Sequence, residues 1–182
     1  MNVHARLAPL SLFLTLAAST LLPSSLLADD LNWQTDWDAA FSQARAEQKP
    51  VFINFFAEWC GPCRAMRRTT MRDPRVVQQL DRFVLLKVDL TKRGSGEKYG
   101  VRSFPWYSIR DPWEREVLAF LGYQEARYFA PQLAGVADAT AEIVKAGVLL
   151  QEGAAVEAYR AHATIAQRAG AEAHARIAYR KA

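Results

Sequence analysis

The chain has 182 residues, of which 51% are hydrophobic, and a formal net charge of +4. That length suits one domain with an appendage, and that much apolar material excludes a disordered chain. The small positive excess is spread along the sequence, so nothing argues for nucleic acid as a partner.

In chain order, residues 1–28 read as a secretory signal. Arg6 is the only charged side chain before residue 29. Leu7 to Leu22 is apolar apart from Pro9 and a few hydroxyl residues, and Ala28 is a small residue ahead of Asp29 and Asp30. A charged start, an apolar centre and a small terminal residue form the export pattern. Cleavage is expected after Ala28, leaving a soluble exported, periplasmic protein. The alternative is an uncleaved N-terminal membrane anchor, because the stretch approaches the length of a spanning helix. Leu31 to Gln48 reads as a lead-in and a helix, capped by Asp36, with Trp37, Phe41 and Ala44 on one face. Val51 to Phe56 is almost wholly apolar, as expected of a central strand covered on both faces. A helix is expected from Gly61 to Met71, and Asp73-Pro74 should open a short one with Val76, Val77 and Leu80 inside. Phe83 to Val88 reads as a second strand, parallel to the first. Asp89 to Gly100 is polar and glycine-containing, with room for a short helix. Pro105 to Ile109 and Glu116 to Leu121 read as a hairpin, and Gln124 to Leu133 as a further helix.

The expected architecture is therefore α/β: a mixed central sheet flanked by helices, with one βαβ unit and one antiparallel hairpin, over residues 29–135. From 136 to 182 alanine dominates and a C-terminal all-helical extension is expected. Ala146, Gly153, Ala158, Tyr159 and Ile165 fall at spacings like one tetratricopeptide unit, but at least three are needed for stability. The extension should instead pack on the domain or form a small appendage. The chain stops inside a helical pattern at Ala182, leaving open that the extension is incomplete.

The chain has two cysteines, Cys60 and Cys63. That count excludes a disulfide framework and a four-cysteine zinc site. A local redox couple, a partial metal site and an accidental buried pair remain. His4, His162 and His174 lie too far off to complete a metal site, so no metal is expected. A thiol attacks a disulfide only as its thiolate, and a helix N-terminus favours a neighbouring anion. Cys60 stands where a strand ends and a helix begins, which suits the attacking sulfur. Cys63, one turn later, suits the resolving one. Pro62 fits a first helical turn, which needs no N–H from it, and Gly61 keeps the approach open. Cys60 and Cys63 are the catalytic candidates, with their own redox-active disulfide as the sole redox group. Trp59 and Trp106 could contact partners or pack. Arg64, Arg67 and Arg68 share a helix face that is either solvated or a docking surface for an acidic partner.

Trp59-Cys60-Gly61-Pro62-Cys63 resembles the active-site sequence of thioredoxins, and Ser103-Phe104-Pro105 sits where that family keeps a cis-proline loop. The resemblance implies a thioredoxin fold and substrate contacts through Trp59, Gly61, Pro62, Phe104 and Pro105. From the residues alone, Pro105 reads equally as an ordinary strand-start proline. Lys49-Pro50-Val51, Thr70 to Val76 and Leu85 to Thr91 are similar to the C-terminal periplasmic domain of DsbD-type thiol:disulfide interchange proteins, and that likeness runs over residues 33–134. It implies a free-standing module that takes electrons from a membrane or soluble thiol donor and passes them to protein disulfides. One position departs from the pattern. The family usually carries an aspartate six residues before the first cysteine, where this chain has Asn54. An amide does not titrate and cannot be a general base. Glu58 is the nearest carboxylate for proton transfer, and also reads as a plain solvated glutamate. The Gly-Pro pair resembles that of reducing thioredoxins, so a reductase is expected. The alternatives are an oxidant or isomerase in exported-protein folding, and a redox-regulated interaction module that uses the helical tail.

Overall fold

The computed structural model describes residues 31–158. The signal segment, all three histidines, and Tyr159 and Ile165 of the extension lie outside the described residues.

Strand β1 (Trp33–Gln34) precedes α1 (Trp37–Glu47), β2 (Val51–Phe56), α2 (Gly61–Arg68), α3 (Pro74–Leu80), β3 (Val84–Asp89), β4 (Trp106–Arg110), β5 (Glu116–Leu121), α4 (Ala126–Asp138) and α5 (Thr140–Gln151). Helix α1 starts where expected: Asp36 Oδ1 accepts from the Ala39 N–H at 2.8 Å, a cap worth about 1 kcal/mol. Gln48 then takes a left-handed conformation, φ 52°, and ends the helix before Pro50. Asp73 caps α3 through the Arg75 N–H, with Pro74 as first helical residue.

The helix expected to run from Gly61 to Met71 is shorter. It stops at Arg68, and Thr70–Arg72 form a separate 3-10 turn. Thr69 turns its hydroxyl back onto the Ala65 carbonyl at 2.9 Å, and Thr70, which is buried, donates to the Gln124 carbonyl at 2.6 Å. The first bond competes locally with continuation of the helix, and the second ties Thr70 to the segment before α4.

The sheet order is β1-β3-β2-β4-β5. β3 runs parallel to β1 and β2, while β4 is antiparallel to β2 and β5 to β4. The sequence reading missed β1, whose two residues pair with Leu85 and Leu86 and are too few to show alternation. Central β2 feeds both layers of the core, because successive side chains point to opposite faces. Val51, Ile53 and Phe55 pack with Ala40, Phe41 and Ala44 of α1. Phe52 lies on the other face, among Met66, Leu80, Tyr107, Phe129 and Leu133. The apolar core does not stop at residue 135: Val136, Ala139 and Ile143 belong to the same cluster as Phe52. The mixed sheet with flanking helices matches the expectation, and a helical region follows it.

No helix among the described residues is long and apolar enough to cross a membrane.

Candidate active site

Strand β2 delivers the chain to Phe56, and Ala57-Glu58-Trp59 turn it into α2. The Cys60 N–H closes the turn on the Ala57 carbonyl at 3.0 Å. Cys60 is the N-cap of α2 in extended geometry, and its Sγ accepts from the Cys63 N–H at 3.1 Å. The two sulfurs form a disulfide with an S–S distance of 2.03 Å and Cα atoms 5.3 Å apart. Both cysteines are nearly covered, at 4% and 8% exposure for Cys60 and Cys63. Ala57, Phe56 and Phe104 pack around them. Pro62 lies in the first helical turn, and a Cβ on Gly61 would meet open space.

The Phe104–Pro105 bond is cis. Pro105 is buried just before β4, and its carbonyl accepts from the Gly122 N–H at 2.9 Å. The Phe104 ring meets Trp59 edge-on, with centroids 5.3 Å apart and planes at 89°. Trp59 is 61% exposed and donates through Nε1 to the Thr91 carbonyl at 3.1 Å. Phe104 thus packs against the cysteine pair and Trp59 against Phe104, while Pro105 follows Phe104 through the cis bond. Trp106 is half-buried and packs into the α1-side cluster.

Asn54 faces the same side of β2 as Phe52, opposite Lys87 of β3 and Tyr107 of β4. Its Oδ1 is buried and accepts no hydrogen bond from the described residues. It lines a cavity of about 480 Å³ together with Phe56, Glu58, Cys63, Arg67 and Lys87. Glu58 is exposed, with Oε1 3.9 Å from Arg67 Nη1. A solvated pair at that distance adds little. Arg64 folds back onto the Glu58 carbonyl at 2.6 Å. Of the three arginines read as a solvated face or a docking surface, Arg64 therefore braces the turn before Cys60. A larger, more open depression of about 620 Å³ lies between the end of α2 and the start of α4, lined by Thr69, Arg72, Asp73 and Tyr123. It does not reach the cysteines, whereas the smaller cavity reaches Cys63. Among the described residues, no group of three metal-ligating side chains is placed to hold a metal ion.

Sequence reasoning did not single out Lys87, Gly122, Asp89 or Thr91 as site residues. The signal for the last two was present, since Asp-x-Thr directly after a strand is the composition of a side-chain-closed turn.

A family model described as thioredoxin-like matches residues 32–112. A thioredoxin from Alicyclobacillus acidocaldarius subsp. acidocaldarius is 32% identical over 100 residues, covering 54% of this chain and 92% of that protein. The thiol:disulfide interchange protein DsbD of Vibrio vulnificus (strain CMCP6) is 43% identical over 49 residues, 27% of this chain. The match spans only 8% of that DsbD. Among solved structures, a thioredoxin from Thermus thermophilus superposes with a TM-score of 0.52 at 26% identity, covering 58% of this chain and 86% of that one.

Proposed function

This chain belongs to the thioredoxin family, and we propose that it is an exported reductase of protein disulfides whose electrons are carried by Cys60 and Cys63. Its chemistry is that of a thiol-disulfide oxidoreductase. The observation that carries the reading is the cysteine pair at the start of α2, with the Cys63 N–H aimed at Cys60 Sγ. In the reduced protein that N–H and the helix N-terminus favour negative charge on Cys60. The Cys60 thiolate attacks one sulfur of a substrate disulfide. A Cys60–substrate disulfide forms, and the second substrate sulfur leaves as a thiolate. Cys63, having lost its proton, then attacks Cys60 Sγ. The Cys60–Cys63 disulfide re-forms and the first substrate sulfur leaves. Two electrons pass to the substrate, and a membrane or soluble thiol donor restores the dithiol. The pair is its own redox cofactor, and no metal takes part.

Trp59, Gly61, Pro62, Phe104 and Pro105 form the surface that receives the substrate chain. With Asn54 in the wall beside Cys63, the carboxylate left in that cavity is Glu58. We assign it the proton of Cys63. Export is supported by the pattern of residues 1–28, and disulfide-bearing substrates belong to such compartments. The test is the reduction potential, measured by equilibration with glutathione buffers. A value near the roughly −270 mV of reducing thioredoxins is expected. A value near the roughly −120 mV of a strong oxidant would overturn the reductase reading in favour of an oxidant.

A further inference from the structure

The pairing of β3 with β2 continues beyond the sheet into the active-site turn. The Leu90 N–H donates to the Phe56 carbonyl at 2.8 Å, the Glu58 N–H to Thr91 Oγ1 at 2.9 Å, and Trp59 Nε1 to the Thr91 carbonyl at 3.1 Å. Two of these three bonds end on one residue. The Thr91 hydroxyl accepts from Glu58, so its own proton must go elsewhere. It goes to Asp89 Oδ1 at 2.5 Å, an atom that also accepts the Thr91 N–H at 2.8 Å. The hydroxyl therefore uses a donor and an acceptor at once and has one orientation. Asp89 fixes Thr91, and Thr91 fixes the backbone of Glu58 and the ring of Trp59.

An aromatic ring that is 61% exposed has little packing to hold it. Trp59 has two restraints here: the Thr91 carbonyl on its nitrogen and the perpendicular ring contact with Phe104.

We propose that Thr91 is a positioning residue for substrate binding. Its hydroxyl, oriented by Asp89, fixes the backbone of Glu58, and its carbonyl takes the indole N–H of Trp59, so that the ring stands as a wall beside the disulfide and against Phe104. This rests on the reading of Trp59 and Phe104 as substrate contacts. A wall fixed in advance spares the complex the entropy of ordering it. Its loss therefore weakens binding of a polypeptide disulfide, while sulfur exchange at Cys60 proceeds as before. Thr91 is itself exposed, so replacing it leaves the core intact.

The test uses the reduced full chain and a synthetic peptide closed by one disulfide. Thr91→Val should raise KM about fivefold, the usual net worth of one hydrogen bond, with kcat changed less than twofold. Thr91→Ser, which keeps the hydroxyl, should restore the parent KM. The indole N–H of Trp59, identified by NMR from its loss in Trp59→Phe, should exchange faster with solvent in Thr91→Val and not in Thr91→Ser. If Thr91→Val fails to fold, Asp89→Ala removes the acceptor of the same hydroxyl and should give the same pattern. Parent-like KM and indole exchange in Thr91→Val would overturn the proposal, as would equal damage in Thr91→Ser. Trp59→Ala separates the two levels. If it raises KM and Thr91→Val does not, the role of Thr91 is wrong. If it leaves KM unchanged, the substrate wall is wrong.

Discussion

Reducing the Cys60–Cys63 bond should make the protein less stable, and the size of the effect follows from the loop it closes. The cysteines are three positions apart. Closing so short a loop removes only about 2 kcal/mol of unfolded-state freedom. Reduction also frees a Cys60 thiolate, which strengthens the bond from the Cys63 N–H, already formed at 3.1 Å. Charge roughly doubles such a bond, returning about 1 kcal/mol to the reduced state. The oxidised form should therefore be the more stable by about 1 kcal/mol, or about 2–4 °C in melting temperature for a chain of this size. The assay is thermal unfolding at neutral pH with and without a phosphine reductant. Cys63→Ala, which has no disulfide to lose, serves as the control. Whatever the disulfide gives to the fold, the fold returns to the disulfide, here about 20 mV toward the reducing side. An oxidant has the opposite sign. A reduced form that melts at the same or a higher temperature would refute this reasoning.

Three further outcomes are expected. Glu58→Gln should slow the release of product by Cys63 several-fold and flatten its pH profile, measured by quenched single turnovers; an unchanged rate and profile would remove Glu58 from proton transfer. Asp111 is fully buried and accepts from the Trp113 and Arg115 N–H groups, while its Oδ2 accepts no hydrogen bond. Burial raises its carboxyl above the ordinary 3.8, so its ionisation costs stability as pH rises from that value through the folded one. Asp111→Asn keeps an acceptor for both N–H groups and should show a smaller loss of melting temperature than the parent between pH 4 and 7; parallel curves would contradict this. Gly147→Ala places a Cβ 2.4 and 2.6 Å from Trp113 ring atoms and 3.0 Å from Asp111 Oδ2. Overpacking of about 1–3 kcal/mol exceeds the gain in helix propensity of about 1 kcal/mol, so urea unfolding should shift to lower concentration. A shift to higher concentration would show that α5 yields freely at this contact.

Much of the fold was legible in the sequence because the apolar runs are unambiguous. Val51 to Phe56 reads as a doubly covered strand, and Asp36 and Asp73 mark helix starts that the structure keeps. The failures have physical causes. Strand β1 is too short for a pattern, and the break at Thr69 comes where Thr69 and Thr70 bond to Tyr123 and Gln124, which lie far along the chain. The site was half legible. Cys60, Cys63 and their neighbours announce themselves by spacing, and Phe104-Pro105 by resemblance. The placement of Thr91 and Lys87 beside the active-site turn was hidden, because it arises from strand register and from a turn closing on a segment more than thirty positions away. Helix α5 reads either as packed on the domain or as a small appendage, and Ile143 belongs to the domain core.

The central claim is that Cys60 attacks and Cys63 resolves. It is tested most directly with reduced Cys63→Ser and a peptide disulfide, followed by intact-mass and fragment analysis. A stable peptide adduct on Cys60 is predicted, and none should form in Cys60→Ser under the same conditions. An adduct that forms through Cys63 when Cys60 is absent, with none on Cys60, would contradict the account.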